Sequence, residues 1–235
     1  MERRKIEQIL IGIQVLCLCG LVFGGIFQNK TKLLQTGMIQ KGTKPCVVLD
    51  AGHGGIDPGK IAINGELEKD INLAIAKKVK AYLEAQDVYV VMTRENDDGL
   101  YKESDSNKKI VDMKNRLRII EENQPFLAVS IHQNSYSTED VSGMQVFYYR
   151  DSLSSKEAAA CMQEQLITTL KPEKERVPKE NTTYYLLKKT SVPMLIVECG
   201  FLSNSREAQL LSTEAYQNRV AWAIHLGILR YIGAF

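Results

Sequence analysis

The apolar positions of this chain fall into two regimes. Between Ile9 and Phe27 they run nearly unbroken (ILIGIQVLCLCGLVFGGIF), 19 residues in which Gln14 is the one clearly polar side chain. A helix of about 20 apolar residues spans a bilayer, so the run reads as a membrane anchor. A cleaved signal peptide is the alternative, but its apolar part usually covers about 7–15 residues and ends in a small-x-small site, which does not follow here. Arg3, Arg4 and Lys5 precede the run, while Lys30 and Lys32 follow it. Basic flanks tend to stay cytoplasmic. A short basic head of this kind places the bulk of the chain on the extracytoplasmic side, or outside the cell if the segment is cleaved. Residues 28–44 are polar, carry two glycines and show no period, which reads as a linker.

From residue 45 the pattern changes to short apolar runs alternating with segments of helical spacing. CVVLD (46–50), VYVVMT (88–93), FLAVSIH (126–132), MQVFYY (144–149) and MLIVE (194–198) read as buried strands bounded by turn residues. Between them, Ile71, Ile75, Val79 and Leu83 recur at helical spacing, as do Ile110, Met113, Leu117 and Ile120. Ala158, Met162, Leu166 and Leu170 do the same before Pro172, and Tyr216, Val220, Ala223, Gly227 and Tyr231 line a closing helix. Alternating strands and helices predict parallel crossovers. The expected fold class is therefore α/β: an open, mostly parallel sheet with helices on both faces, spanning 45–235 behind the N-terminal transmembrane helix. Residues 95–109 and 173–183 are polar and read as surface loops.

Composition narrows the function. Hydrophobic residues make up 44% and charged ones 25%, values of a globular protein rather than a disordered or multi-span one. The formal charge is +2, with no excess of the kind that marks nucleic-acid binding. Cys17 and Cys19 lie in the apolar run, leaving Cys46, Cys161 and Cys199 widely spaced. That is neither a disulfide framework nor a CxxC metal pattern, and the three read as small buried thiols.

Chemistry collects at strand ends. In open α/β sheets, ligands bind beyond the carboxyl ends of the strands. The first strand ends at Asp50, just before His53 in AGHGG; the third ends at His132; MLIVE ends at Glu198. Three strands thus deliver ionisable groups to one rim. An acid terminating a buried strand has to be paired, protonated or functional, which singles out Glu198. His225, inside the final helix, reads as structural. Two histidines need a third ligand to form an open catalytic zinc site, and His₂Glu is an established set. Asp57, Glu66, Glu68 and Asp70 are the candidates; Asp70 reads as a first-turn acid, and spacing does not separate Glu66 from Glu68. Serine catalysis lacks a GxSxG elbow, and Cys199 lies next to Glu198 rather than near a base-oriented histidine.

The strings LDAGHGGIDPGKIAINGELEKDINLA, SIHQN and VECGFLSN, in that order, resemble the motifs of the zinc-dependent N-acetylmuramoyl-L-alanine amidases of the amidase 3 family. The resemblance runs from about Val47 to Tyr231. It implies Zn²⁺ as cofactor, with His53, Glu68 and His132 as metal ligands and Glu198 as the catalytic acid–base, and it prefers Glu68 over Glu66. It also matches Thr93-Arg94 and Arg116 to recurrent positions, read here as structural arginines. The short body and lack of wall-binding repeats are similar to a sporulation branch of the family. That likeness implies removal of stem peptides from peptidoglycan during formation of the muramic-δ-lactam of the spore cortex. The implied partners are glycan strands carrying stem peptides, the membrane, and an activating lipoprotein, with a forespore-membrane location. A membrane-tethered, zinc-stabilised scaffold without activity is the competing class.

Overall fold

The computed structural model describes residues 44–234. The predicted anchor, and the linker apart from Lys44, lie outside the described residues. Among the described residues, no helix is long and apolar enough to cross a membrane.

Six strands form one sheet: β1 (Cys46–Ala51), β2 (Tyr89–Met92), β3 (Leu127–Asn134), β4 (Gln145–Tyr149), β5 (Lys179–Asn181) and β6 (Met194–Phe201), in the order β2-β1-β3-β6-β4-β5. Pairing is parallel except between β4 and β6, so the mostly parallel sheet expected from the alternation holds. The exception has a local cause. No helix separates β3 from β4, so no crossover returns the chain to the starting edge, and β4 runs antiparallel beside β6.

Helices cover both faces. Helices α1 (Glu68–Glu84), α3 (Leu153–Leu170), α5 (Ser205–Leu211) and α6 (Glu214–Ile232) pack on one side, where Ile75, Val79, Leu83, Met162, Leu166 and Val220 share a core with Leu49, Val129 and Val197. On the other, α2 (Lys108–Asn123) and α4 (Tyr185–Lys189) supply Ile120, Leu186 and Leu187 against Val48, Ala128 and Ile196. Alternate residues of one strand thus feed opposite cores, as the two-residue strand period requires. Helix starts follow the usual chemistry: Asn107, Ser152, Asn204 and Thr213 each accept a hydrogen bond from a backbone amide of the first turn.

Several boundaries differ from the sequence reading. Residues 173–183 were expected to be loop, yet Lys179–Asn181 pair with Phe147–Tyr149 as an edge strand. Those three polar residues (KEN) carry no apolar alternation; backbone pairing at an exposed edge does not require it. The short helices α4 and α5 span too few turns to establish a period. Strand β6 runs three residues past Glu198, so this acid lies inside the strand rather than at its end. Cys46 and Cys161 are only half-buried, while Cys199 is buried.

Candidate active site

Three side chains converge at the carboxyl edge of the sheet. His53 sits in the loop after β1, Glu68 opens α1, and His132 comes from β3. Glu68 Oε1 lies 3.2 Å from His53 Nε2 and 3.0 Å from His132 Nδ1. The potential ligand atoms all lie within 4.8 Å of one another. The choice between the two glutamates is spatial: Glu66 is exposed in the turn before the helix, whereas Glu68 is 4% exposed.

Local structure holds each group in place. Glu68 Oε2 accepts the Lys60 amide at 2.8 Å, and Oε1 accepts the Gln133 amide at 3.1 Å, which fixes the carboxylate plane. Asp57 Oδ2 lies 3.0 Å from His53 Nδ1, leaving Nε2 to face Glu68. Asp57 Oδ1 is held in turn by the Gly59 amide. A side chain at Gly52 would collide with the His132 ring, 2.2 Å from where its Cβ would be. Gly59 adopts φ +68°, with Glu68 Oε2 only 2.6 Å from a would-be Cβ, so the loop can fold this close to the carboxylate only without side chains.

The loop itself is under tension and is clamped. His53 has φ 63°, in the left-handed region that non-glycine residues rarely occupy. Two buried arginines satisfy the carbonyls around it. Arg94 donates to the carbonyls of Ala51 and Gly52; Arg116 donates to those of Ala51 and His53. Arg116 also pairs with Asp50 at 2.6 Å and with Asp112. These contacts give both arginines the structural role expected of them. Asp50 lies on the same rim as the histidines, but its carboxylate is spent on Arg116, Thr93 and Ser130. Burial works against its ionisation, yet the Arg116 charge and the two hydroxyls outweigh it and pull its pKa down to about 2.

Glu198 stands beside His132 in register across the β3–β6 pair and is 8% exposed. Among the described residues, its Oε2 has no hydrogen-bond partner. Burial is the main cause that pushes its pKa up to about 7; His132 opposes this, Glu68 adds to it, and His53 opposes it. Buried carboxylate oxygens are normally satisfied, so this orphan calls for a functional explanation. Glu68 behaves oppositely: burial disfavours its charge, but the two imidazoles hold it well below the usual carboxylate range. Burial also disfavours protonated His53, and contacts with Glu68 and Asp57 reverse this to raise its pKa. A ligand lone pair that attracts a proton this way also attracts a cation.

The donor set fits a metal. Ligands about 2.0–2.1 Å from zinc at tetrahedral corners stand about 3.3 Å apart, close to the 3.0 and 3.2 Å separations around Glu68 Oε1. Three protein donors would leave one position of a tetrahedral zinc open. They line a cleft of about 500 Å³ that also includes Glu198, Tyr101, Lys109 and Tyr184. The other candidates fall outside this arrangement. His225 is buried in α6, its ring packed against Tyr82 and Trp222. Burial pushes the Cys199 thiol far above its ordinary value, which suppresses the thiolate a nucleophile requires. Asp57, which the sequence offers only as one of four candidate ligands, emerges on the far nitrogen of His53. Its position four residues on, in the same glycine-rich loop, was the available signal.

An open parallel α/β sheet with three metal-type donors and a free buried carboxylate at its carboxyl edge has the layout of a single-metal hydrolase. The chain belongs to the N-acetylmuramoyl-L-alanine amidase family, whose pattern matches residues 47–230. It is 39% identical over 189 residues to the germination-specific N-acetylmuramoyl-L-alanine amidase of Bacillus subtilis, covering 79% of this chain and 78% of that protein. Among solved structures, the CwlD amidase of Clostridioides difficile, determined in complex with the GerS lipoprotein, is 41% identical with a TM-score of 0.79. That alignment covers 82% of this chain and 100% of the other. The amidase AmiC2 of Nostoc punctiforme is 34% identical, with a TM-score of 0.72 and coverage of 81% and 98%.

Proposed function

We propose that this chain hydrolyses the amide joining the lactyl group of N-acetylmuramic acid to L-alanine in peptidoglycan, removing stem peptides during formation of the spore cortex. In this reading, His53, Glu68 and His132 hold Zn²⁺ and Glu198 is the catalytic acid–base. The observation that carries it is the convergence of three donors within 4.8 Å beside a buried carboxylate whose oxygen has no partner. The cortex role rests on similarity to the germination-specific amidase of Bacillus subtilis and the CwlD amidase of Clostridioides difficile.

Zinc, when bound, supplies Lewis acidity that polarises a carbonyl and makes water more acidic. The rest is the work of side chains. Glu198 accepts the proton of the attacking water and returns it to the departing amine nitrogen, so the acid begins and ends the cycle ionised. Such transfer is typically worth about 10²–10⁴-fold. Nearby positive charge lowers a buried carboxylate's pKa, so metal loading favours the ionised form that the first transfer needs. His53 is kept in the tautomer that presents Nε2 by Asp57 on Nδ1. Met113, Leu186 and Ile196 give the cleft a stretch of apolar wall beside the donors.

The apolar run at 9–27 would tether the enzyme to a forespore membrane with its body outside the cytoplasm, and cleavage there would release it. An activating lipoprotein partner is part of the proposal, by analogy with the complex of the Clostridioides difficile relative.

The test uses the full chain loaded with zinc, and mass spectrometry of stem peptides released from cortex peptidoglycan. Glu198→Gln should bind zinc normally while losing about 10²-fold or more in rate. His53→Ala and His132→Ala should lose zinc as well. Substantial turnover by Glu198→Gln would refute its assignment, and a zinc-loaded wild type inert even with its lipoprotein would favour the scaffold alternative.

A further inference from the structure

The cleft is lined by five acids and two basic side chains besides the histidines, Lys109 and Arg116. Among the acids, Asp50 and Asp112 are tied to Arg116, Asp57 and Glu68 surround the histidines, and Glu198 is buried. Arg116 is itself only 2% exposed. Lys109 differs. Its side chain is 74% exposed, and among the described residues lining the cleft it is the basic group open to an incoming ligand.

Its placement is locally unfavourable. Lys108 and Lys109 open α2, whose first turn has no acid, so both charges oppose the helix dipole. Lys108 has compensation from Glu103 and from the Tyr101 ring, 5.4 Å away. Among the described residues, Lys109 has only Asp57, at 3.3 Å, an oxygen already shared with His53. A solvent-exposed pair of that kind contributes little, and the ammonium keeps donors to spare. A local rule broken with only one weak, shared partner at the mouth of a cleft points to function.

We infer that Lys109 selects substrate by binding a free carboxylate on the leaving peptide, at the second residue from the scissile nitrogen. This rests on the amidase reading above. Reach supports it: contacts of 3.3 and 3.0 Å lead from Lys109 through Asp57 to the His53 ring. These contacts end at His53 Nδ1, and Nε2 on the far side of the ring faces Glu68, so the ammonium lies within about two to three residues of extended chain of the donor cluster, at roughly 3.3–3.6 Å per residue. Another part of the lining, with Tyr184, Tyr185, Leu186 and Ile196, is apolar and aromatic, which suits a sugar ring better than an anion.

The experiment compares two synthetic muramoyl peptides, identical except that the second residue carries a free carboxylate or its primary amide, on the full-length zinc-loaded chain. The wild type should favour the acid by about tenfold in kcat/KM, carried by KM. Lys109→Gln should bring that ratio to about one, Lys109→Arg should keep it, and the zinc content of both should match the wild type. Equal wild-type rates on the two substrates, or a preference that survives Lys109→Gln, would overturn the inference. Loss of zinc from Lys109→Gln would also overturn it, making the lysine a support for His53 instead. If the wild type cleaves neither substrate, the amidase reading falls first.

Discussion

Asp57 and Glu66 mark what single residues could and could not disclose. Histidines after apolar strands announce a site because few other residue types bind metals and protons at neutral pH. The acid that completes the site is harder to read, since glutamates are common on surfaces. Glu66 and Glu68 are separated by whether α1 has begun: residue 68 is its first residue, and its carboxylate turns back onto both imidazoles. Asp57 contributes one step removed, through His53 Nδ1. Removing a carboxylate that orients a ligand histidine typically costs 10–100-fold in metal affinity. Asp57→Ala is therefore expected to weaken zinc binding by about that factor in a competitive chelator titration, while Asp70→Ala, altering an exposed first-turn acid, should not.

At the scale of elements, the site depends on how the β1 loop is held. Arg116 reaches from α2 to Asp50 on β1 and to the carbonyl of strained His53, linking helix, strand and loop. Breaking a buried pair by deleting one partner costs about 3–5 kcal/mol, because the survivor keeps its desolvation penalty. Arg116→Met should therefore lower the melting temperature by roughly 6–20 °C in a domain of this size. Asp50 adds a pH dependence with a definite sign. Its folded pKa is about 2 against an ordinary value of 3.8, so its stabilisation is fully present above about pH 4 and is lost as pH falls towards 2. The shift amounts to about 2 kcal/mol. Urea unfolding at stepped pH should show this slope, and Asp50→Asn should flatten it. The family resemblance matched both arginines to recurrent positions but did not disclose this latch, since the partners of Arg116 lie up to 66 positions away.

For the whole molecule, zinc would join segments distant in the chain: His53 and Glu68 around α1, and His132 on the central strand β3. A ligand that binds only the folded state at 100 times its Kd adds about 2.7 kcal/mol. Zinc should accordingly raise the melting temperature of the chelated protein by roughly 5–11 °C, an increment absent from His132→Ala. No zinc-dependent shift in the wild type would count against the site. The alternation of apolar runs with helical periods was by itself enough to indicate an α/β sheet with helices on two faces, and the expected strand ends pointed to a rim for His53, His132 and Glu198. Those properties follow from side-chain periodicity, which is local. The tertiary structure decided the antiparallel seat of β4, the edge strand Lys179–Asn181, Glu68 over Glu66, and the orphaned oxygen of Glu198. Each of these depends on what stands across from a residue in space, and neither period nor composition carries that information.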